Sequence, residues 1–516
     1  MFKFLASAHP CAIVLMGLSL GLGLSNAARA NIEFENPSIE EVPDQSALQS
    51  LGQLQSLKNL SKQHDYQAPF VQELKSHSAV RTLLVSTPAL PIVDIQLTFN
   101  AGSARDDQIG EGLYGLSNMA ARLMTEGTDQ FTAKQLASQF ESLGARFSVN
   151  AYRDMFVVRL RVLSNPEKLD AAINLMLHVV NRASFNQSGL NLILNNTRVG
   201  QRQVQENPNR LMNIRFYRAV YGQHPYAEPI VGTQGSIKKI GTEQLVKFRN
   251  QFLVAQNMGI AITGDLNAES ASKIASRISL TVTQGHKAPP LVSPTDQNDF
   301  NIHFIPYNST QAHVMIGHLA ISRNDPDRVA LEVANQLFGG SGFNSILMKE
   351  LRVKRGYTYG AYSSLASTQA QGLFTLSYST QQDQLLDSIQ VVHQALNNFI
   401  HQPIAAKTLE ETKEGMLRSF PMTFSSNDSI NAQVAAIGFY DLPTNYLSDY
   451  QKQLSKLSVK QVQLAIKKHL RADRLTMVVV ANQLDPAQLK LQLESQLHPT
   501  SDTTKKRSSQ HMQPKT

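Results

Sequence analysis

The chain has 516 residues, 42% of them hydrophobic and 17% charged, a composition that excludes global disorder. A single core stops growing near about 250–300 residues, so at least two domains are expected. The formal charge of +8 gathers at the two ends of the chain and leaves only about +3 on the body, which excludes a nucleic-acid reading that would need basic charge clustered on one folded face.

Residues 1–30 read as an export signal. Lys3 supplies a positive start, "CAIVLMGLSLGLGL" (11–24) is an apolar run too short to span a bilayer, and "ARA" (28–30) predicts cleavage after Ala30. The only cysteine, Cys11, lies inside that leader behind His9 and Pro10, so the mature chain is expected to have no disulfide and no thiolate chemistry. A periplasmic or secreted protein without a stable membrane span is the expectation. Residues 31–75 form an extension: an acidic, proline-punctuated stretch, then Leu48, Leu51, Leu54, Leu57 and Leu60 behind Ser46 as a helix cap. That stripe reads either as a helix lying on its own domain or as a surface for a partner.

A first domain is expected over 76–281, a polar, proline-rich linker over 282–299, a second domain over 300–498, and a disordered basic tail over 499–516. The two domains read as copies of one plan. "IVDIQLTFNAGS" (92–103), a half-buried strand by its alternation, has a counterpart in "AHVMIGHLAIS" (312–322), and "NMGIAITGDL" (257–266) has one in "RLTMVVVANQL" (474–484). Long helical patterns such as 166–183 and 458–470 lie between them. Strands clustered with helices, without strict alternation, predict an α+β fold with helices packed on a mostly antiparallel sheet in each domain.

The stretch "GLSNMAARLMTEGT" (115–128) predicts a helix with Leu116, Met119, Ala120, Leu123 and Met124 on its core face. Asn118, Ala121 and Arg122 then share the opposite face, at the spacing by which metallopeptidase helices present two histidines and a glutamate to one ion. None of the three is a good zinc ligand. Other chemistries find little support. His313 and His318 are an odd number of residues apart in a strand, so their rings point to opposite faces, and His224 reads as a turn or core histidine. The Gly-x-Ser-x-Gly match at Gly17 to Gly21 lies inside the leader, and "FGGSGFNS" lacks the lysine of a phosphate loop.

Several motifs occur in order: "NAGSARDD", "EGTDQFTAKQLASQFESLGARFSVNAYRD" (126–154), "HPYAEPIVGT" (224–233), "LFGGSGFNSILMKELRVKRGYTYGAYSS" (337–364) and "YLSDYQKQLSKLSVKQVQLA" (446–465). Together they resemble the pitrilysin or insulinase family of zinc peptidases, in particular its branch with mitochondrial processing peptidase, over roughly residues 76–498. The resemblance implies two homologous α+β domains forming half of a clam-shell around a peptide chamber.

It also implies that the family's His-x-x-Glu-His motif falls on Asn118, Ala121 and Arg122. A third, glutamate ligand would fall near "RVGQ" (198–201), where there is no acid. Zinc catalysis needs a bound water activated to a pKa of about 7 and a carboxylate to take its proton. Alanine cannot be that base, and Arg122 puts a fixed positive charge where a cation would sit. Arg352 and Tyr359, seven residues apart, resemble a pair that reaches from the second domain to hold a substrate carbonyl, where one lost oxyanion donor costs about 3–4 kcal/mol. Gly339, Gly340 and Gly342 would form a loop lining the chamber against peptide backbone. The expectation is a non-catalytic subunit that completes, in trans, the active site of a zinc-bearing homologous partner and binds peptide substrates. No cofactor is expected in this chain, and zinc is expected in the partner. The competing expectations are a peptide-binding or structural subunit with no proteolytic role, and an enzyme acting alone through unrecognised ligands.

Overall fold

The computed structural model describes residues 66–74, 80–296, 299–340 and 342–497. The export signal, the leucine stripe Leu48–Leu60 and the basic tail lie outside the described residues. Among the described residues no helix is long and apolar enough to cross a membrane.

The first half carries strands β1 (Gln72–Leu74), β2 (Thr82–Ser86), β3 (Ile92–Phe99), β4 (Arg146–Ala151), β5 (Phe156–Leu163) and β6 (Met258–Gly264). Its helices are α1 (Leu116–Leu123), α2 (Ala133–Ser142), α3 (Pro166–Arg182), α4 (Gln187–Gln205), α5 (Pro208–Tyr221), α6 (Thr242–Phe252) and α7 (Ala268–Thr281). The second half has β7 (Asn301–Pro306), β8 (Gln311–Leu319), β9 (Ala361–Leu365), β10 (Leu373–Gln381) and β11 (Thr476–Ala481). With them are α8 (Arg328–Gly339), α9 (Leu385–His401), α10 (Ala406–Ser419), α11 (Asn427–Phe439), α12 (Tyr446–Lys456), α13 (Val459–His469) and α14 (Pro486–Leu497). Strand order is β1-β2-β6-β3-β5-β4 in one sheet and β7-β11-β8-β10-β9 in the other. Only β2/β6 and β7/β11 run parallel, so both sheets are mostly antiparallel, as expected. Strand β1 lies upstream of residue 76 and pairs with β2, so the folded body starts earlier than its sequence suggested.

Local chemistry explains the helix starts. Asn165 and Asn207 each cap a helix whose first residue is proline, a residue already set to the helical φ and with no N–H to satisfy. Thr132 and Ser458 form capping boxes with Gln135 and Gln461. The strands at 92–103, 257–266, 312–322 and 474–484 and the helices at 166–183 and 458–470 form where the patterns placed them.

The duplication is plain in the coordinates. Strand β3 and β8, α3 and α9, α4 and α10, and α5 and α11 each begin about 219 residues apart. The two copies are interlocked. Helix α5 of the first half packs Met212, Phe216 and Val220 against Met315, Leu319, Val478 and Val480 of the second sheet. Its counterpart α11 packs Ile430, Val434 and Ile437 against Leu83, Val85 and Ala261 of the first. Both sheets accordingly fall in one compact unit. This exchange corrects the expectation of a half-buried β3: Asp94, Gln96 and Thr98 on its second face are buried as well as Val93, Ile95, Leu97 and Phe99.

Polar groups also fasten the two halves to each other. Asp154, 4% exposed, accepts from the Tyr226 hydroxyl, from the Gln369 N–H at 2.8 Å and from the Tyr440 hydroxyl at 3.2 Å. Arg105, fully buried, donates to Asn100 Oδ1 at 3.1 Å and sets its charge toward Asp154. Burial raises the Asp154 carboxyl above the usual range against these hydrogen bonds.

Candidate functional site

Helix α1 is positioned by its N-terminus. Asp106, completely buried, accepts from the N–H groups of Gly115 at 2.8 Å and Ser117 at 2.9 Å, filling the anion site that a helix start offers. Gly115 holds φ at 95° and its neighbour Gly232 at 71°, and a Cβ at Gly232 would collide with the Tyr114 carbonyl. Two glycines are needed where these backbones meet. Beyond the cap, Leu116, Met119, Ala120, Leu123 and Met124 are all buried in the first core, as their spacing predicts.

Asn118 and Arg122 are half-buried on the other side of α1, but Ala121 is only 3% exposed and belongs to the core, a correction to a wholly outward face. Arg122 Nη1 donates to Thr197 Oγ1 of α4 at 2.6 Å, and that hydroxyl donates to the Ile193 carbonyl at 2.8 Å. The guanidinium thus bridges α1 to the very helix that carries "RVGQ" (198–201). Burial lowers the Arg122 pKa, yet a guanidinium stays protonated and offers no lone pair. An amide, a methyl and a guanidinium do not fit zinc, and the sequence 198–201 adds no carboxylate. In the same helix, Gln201 donates to the Gly232 carbonyl at 3.2 Å.

The second half brings Arg352 and Tyr359 together, although not through the phenol. Arg352 Nη1 donates to the Tyr359 backbone carbonyl at 2.9 Å, while the guanidinium lies 4.8 Å from the centre of the Phe343 ring. Arg352 sits in a π-helical stretch, Met348–Val353, a form that recurs at functional positions. The Tyr359 side chain is free for an outside partner, with the residue 85% exposed. The three glycines do not form one loop. Gly339 ends α8 and Gly340 caps it, and a Cβ on either would strike Leu347, Ser363 or Gln336. Only Gly342 has a positive φ, 141°. The α1 positions and the Arg352 pair stay separate clusters, with no hydrogen bond joining them among the described residues.

The histidines behave as structural groups. His224 Nδ1 accepts from the Tyr226 N–H at 3.1 Å, so Nε2 donates to the Val292 carbonyl at 2.8 Å, and burial lowers its pKa. His313 bonds Ser379 and His318 bonds the Leu319 carbonyl, separate from each other as the strand period requires. Asp325, Asp327 and His469 lie close enough to share a cation, but Lys468 Nζ already holds Asp327 at 2.6 Å. Sequence patterns did not reveal Asp154, Arg105 and Tyr226 as a unit, because their partners lie up to 286 residues apart. Helical spacing alone places Gln390, Gln394 and Asn398 in one row along α9.

Comparison with known proteins agrees with this architecture. Residues 81–234 match the family described as Insulinase (Peptidase family M16), and residues 239–416 match the Peptidase M16 inactive domain. A crystal structure of a peptidase M16 inactive domain from Pseudomonas fluorescens is 32% identical, with a TM-score of 0.75 over 80% of this chain and 98% of that one. An "uncharacterized zinc protease" of Rickettsia bellii is 24% identical over 397 residues, 76% of this chain and 91% of the relative. The "non-peptidase homolog YmxG" of Helicobacter pylori is 23% identical over 401 residues, 76% and 90% of the respective chains.

Proposed function

The chain belongs to the insulinase family of peptidases, peptidase family M16, and from that premise we propose that it is the non-catalytic subunit of an exported zinc endopeptidase. In this reading a homologous partner carries the zinc and its general base, and this chain holds peptide substrate. The observation that carries the proposal is the Arg122 to Thr197 bridge, which places a permanent cation between the two helices that would share the ion. Such a centre repels a metal and supplies neither imidazole nor base.

Arg352 and Tyr359 act in trans. The guanidinium, steadied by the Tyr359 carbonyl and the Phe343 ring, and the exposed phenol donate hydrogen bonds to the carbonyl oxygen of a peptide as negative charge develops on it. Each donor is worth about 10²–10³ in rate when it is pre-positioned. The name of the Helicobacter pylori relative, a non-peptidase homolog, favours a second reading: a peptide-binding or structural subunit with no part in cleavage.

Mixing separates the two. The purified chain is combined with an M16 subunit from the same cell that carries His-x-x-Glu-His, and peptide hydrolysis is followed with zinc content per chain. The in-trans reading expects activity only in the mixture, zinc only in the partner, and a large rate loss with Arg352→Ala or Tyr359→Phe. An unchanged rate with both variants rejects it.

A further inference from the structure

The internal duplication exposes a contrast between matched places. In the first half, Arg122 of α1 reaches across to Thr197 of α4. In the second half the matching helices α8 and α10, with α9, enclose an open groove of about 1100 Å³. That is at the upper end of the roughly 300–1,000 Å³ of small-molecule pockets, and an open groove of this size has room for a segment of polymer.

The lining indicates which polymer. Gln390, Gln394 and Asn398 of α9 line the groove four residues apart, so they form one stripe along the helix. Gln390 donates to Gln492 at 3.3 Å and Gln394 to Asn398 at 3.5 Å; each carboxamide has two N–H donors and an acceptor oxygen, and the groups left over match the alternating N–H and C=O groups of an extended peptide. The charged lining is of mixed sign, Lys349 and Arg355 beside Glu350, Asp387 and Glu411, and Glu350 is held by Lys354 at 2.6 Å and Arg355 at 2.8 Å. A nucleic acid would instead require a row of unpaired cations. Beneath the amides, Leu337, Phe399 and Met416 give an apolar floor for side chains.

Two further observations point the same way. Gly415 lines the groove from within α10, where glycine costs about 1 kcal/mol relative to alanine. A Cβ there would meet nothing within 4 Å, so no contact within the chain calls for glycine, whereas the close approach of another backbone would. Phe343 also lines the groove and carries Arg352 on its ring, which makes the groove continuous with the pair assigned to the scissile carbonyl.

We propose that this groove holds an extended stretch of the peptide substrate, its backbone along the α9 amide row and its apolar side chains on the floor. The inference rests on the reading of the chain as a substrate-holding subunit, but its test requires no cleavage. Fluorescence anisotropy of a labelled decapeptide of alternating leucine and serine is measured against the full chain alone. Saturable binding is expected. Gly415→Leu fills the groove while improving helix propensity, and is expected to weaken binding at least about tenfold, or 1.4 kcal/mol, without lowering the melting temperature. The pair Gln394→Leu and Asn398→Leu is expected to weaken binding similarly, whereas Leu280→Ala, at an exposed position of α7, leaves it unchanged. Absence of saturable binding to the wild-type chain, or equal binding by both groove variants, overturns the inference. Failure of the in-trans activity test with anisotropy intact rejects only the catalytic role.

Discussion

The carboxylate of Asp154 in the first half accepts a 2.8 Å hydrogen bond from the backbone N–H of Gln369 in the second. The same carboxylate takes the Tyr226 and Tyr440 hydroxyls, so one buried acid joins three loops that are far apart in sequence. Asp154→Ala leaves these donors without a partner and removes the carboxylate whose charge favours the protonated Arg105. A loss of about 3–5 kcal/mol is expected, read as a lower denaturation midpoint. Asp154→Asn, which retains an acceptor oxygen, is expected to lose less.

Asp106 gives a pH dependence of definite sign. Burial pushes its carboxyl up to about 7, against the N–H groups of Ser117 and Gly115 that pull it down. Because the folded value exceeds the unfolded value of about 3.9, the contribution is fully present below about pH 4 and is lost as pH rises through 7. Unfolding curves of wild type and Asp106→Asn, measured from pH 4 to 8, should diverge in favour of the asparagine variant by up to about 4 kcal/mol. A difference that stays constant across that range refutes the assignment.

Gly232 has a positive φ and no room for a Cβ. Gly232→Ala must move the Tyr114 carbonyl and with it the start of α1, so a loss of about 2 kcal/mol or more is expected. Gly144→Ala makes the informative comparison: its φ is 65° with open space around it, so it should cost only about 1–2 kcal/mol of left-handed backbone strain.

Arg122→Ala removes the bridge to Thr197 but adds no ligand. We expect a loss of about 1.5–3 kcal/mol in stability, the usual worth of a hydrogen bond involving a charged group, and no gain in zinc affinity by calorimetry. The triple change Asn118→His, Ala121→Glu and Arg122→His supplies three groups of the motif and still lacks an acid on α4. Zinc binding weaker than in a complete site, with no peptidase activity from the isolated chain, is the expected outcome.

Phe216, on α5, is fully buried against the opposite sheet. Phe216→Ala should cost about 3–5 kcal/mol, and the chain should still melt in a single transition, since the perturbed contact belongs to both halves. Two separate transitions would show that the halves fold independently.

Much of this architecture was legible in the sequence because it is written locally. The alternation of Val93, Ile95, Leu97 and Phe99, the helical pattern of 166–183, and the stripe from Leu116 to Met124 each depend on neighbours within a few residues. The missing ligands at 118, 121 and 122 were equally readable, since chemistry follows from residue type. What could not be read depends on distant segments. The second face of β3 is covered by α11, more than 300 residues downstream, and the Arg122 bridge depends on how α4 lies across α1. The glycines of 339–342 looked alike in sequence, yet two of them serve close packing at a helix end. The spacing of Arg352 and Tyr359 suggests a pair of side chains, whereas the contact that joins them uses a backbone carbonyl.

The traded helices α5 and α11 give the chain the topology of a tethered, intertwined dimer. Severing the connection between residues 282 and 299 would not release two stable fragments, because each piece would present an uncovered sheet face and a homeless apolar helix. The pieces should instead remain clasped, or reassemble when mixed, with mutual insertion rather than the covalent tether setting the angle between the two sheets.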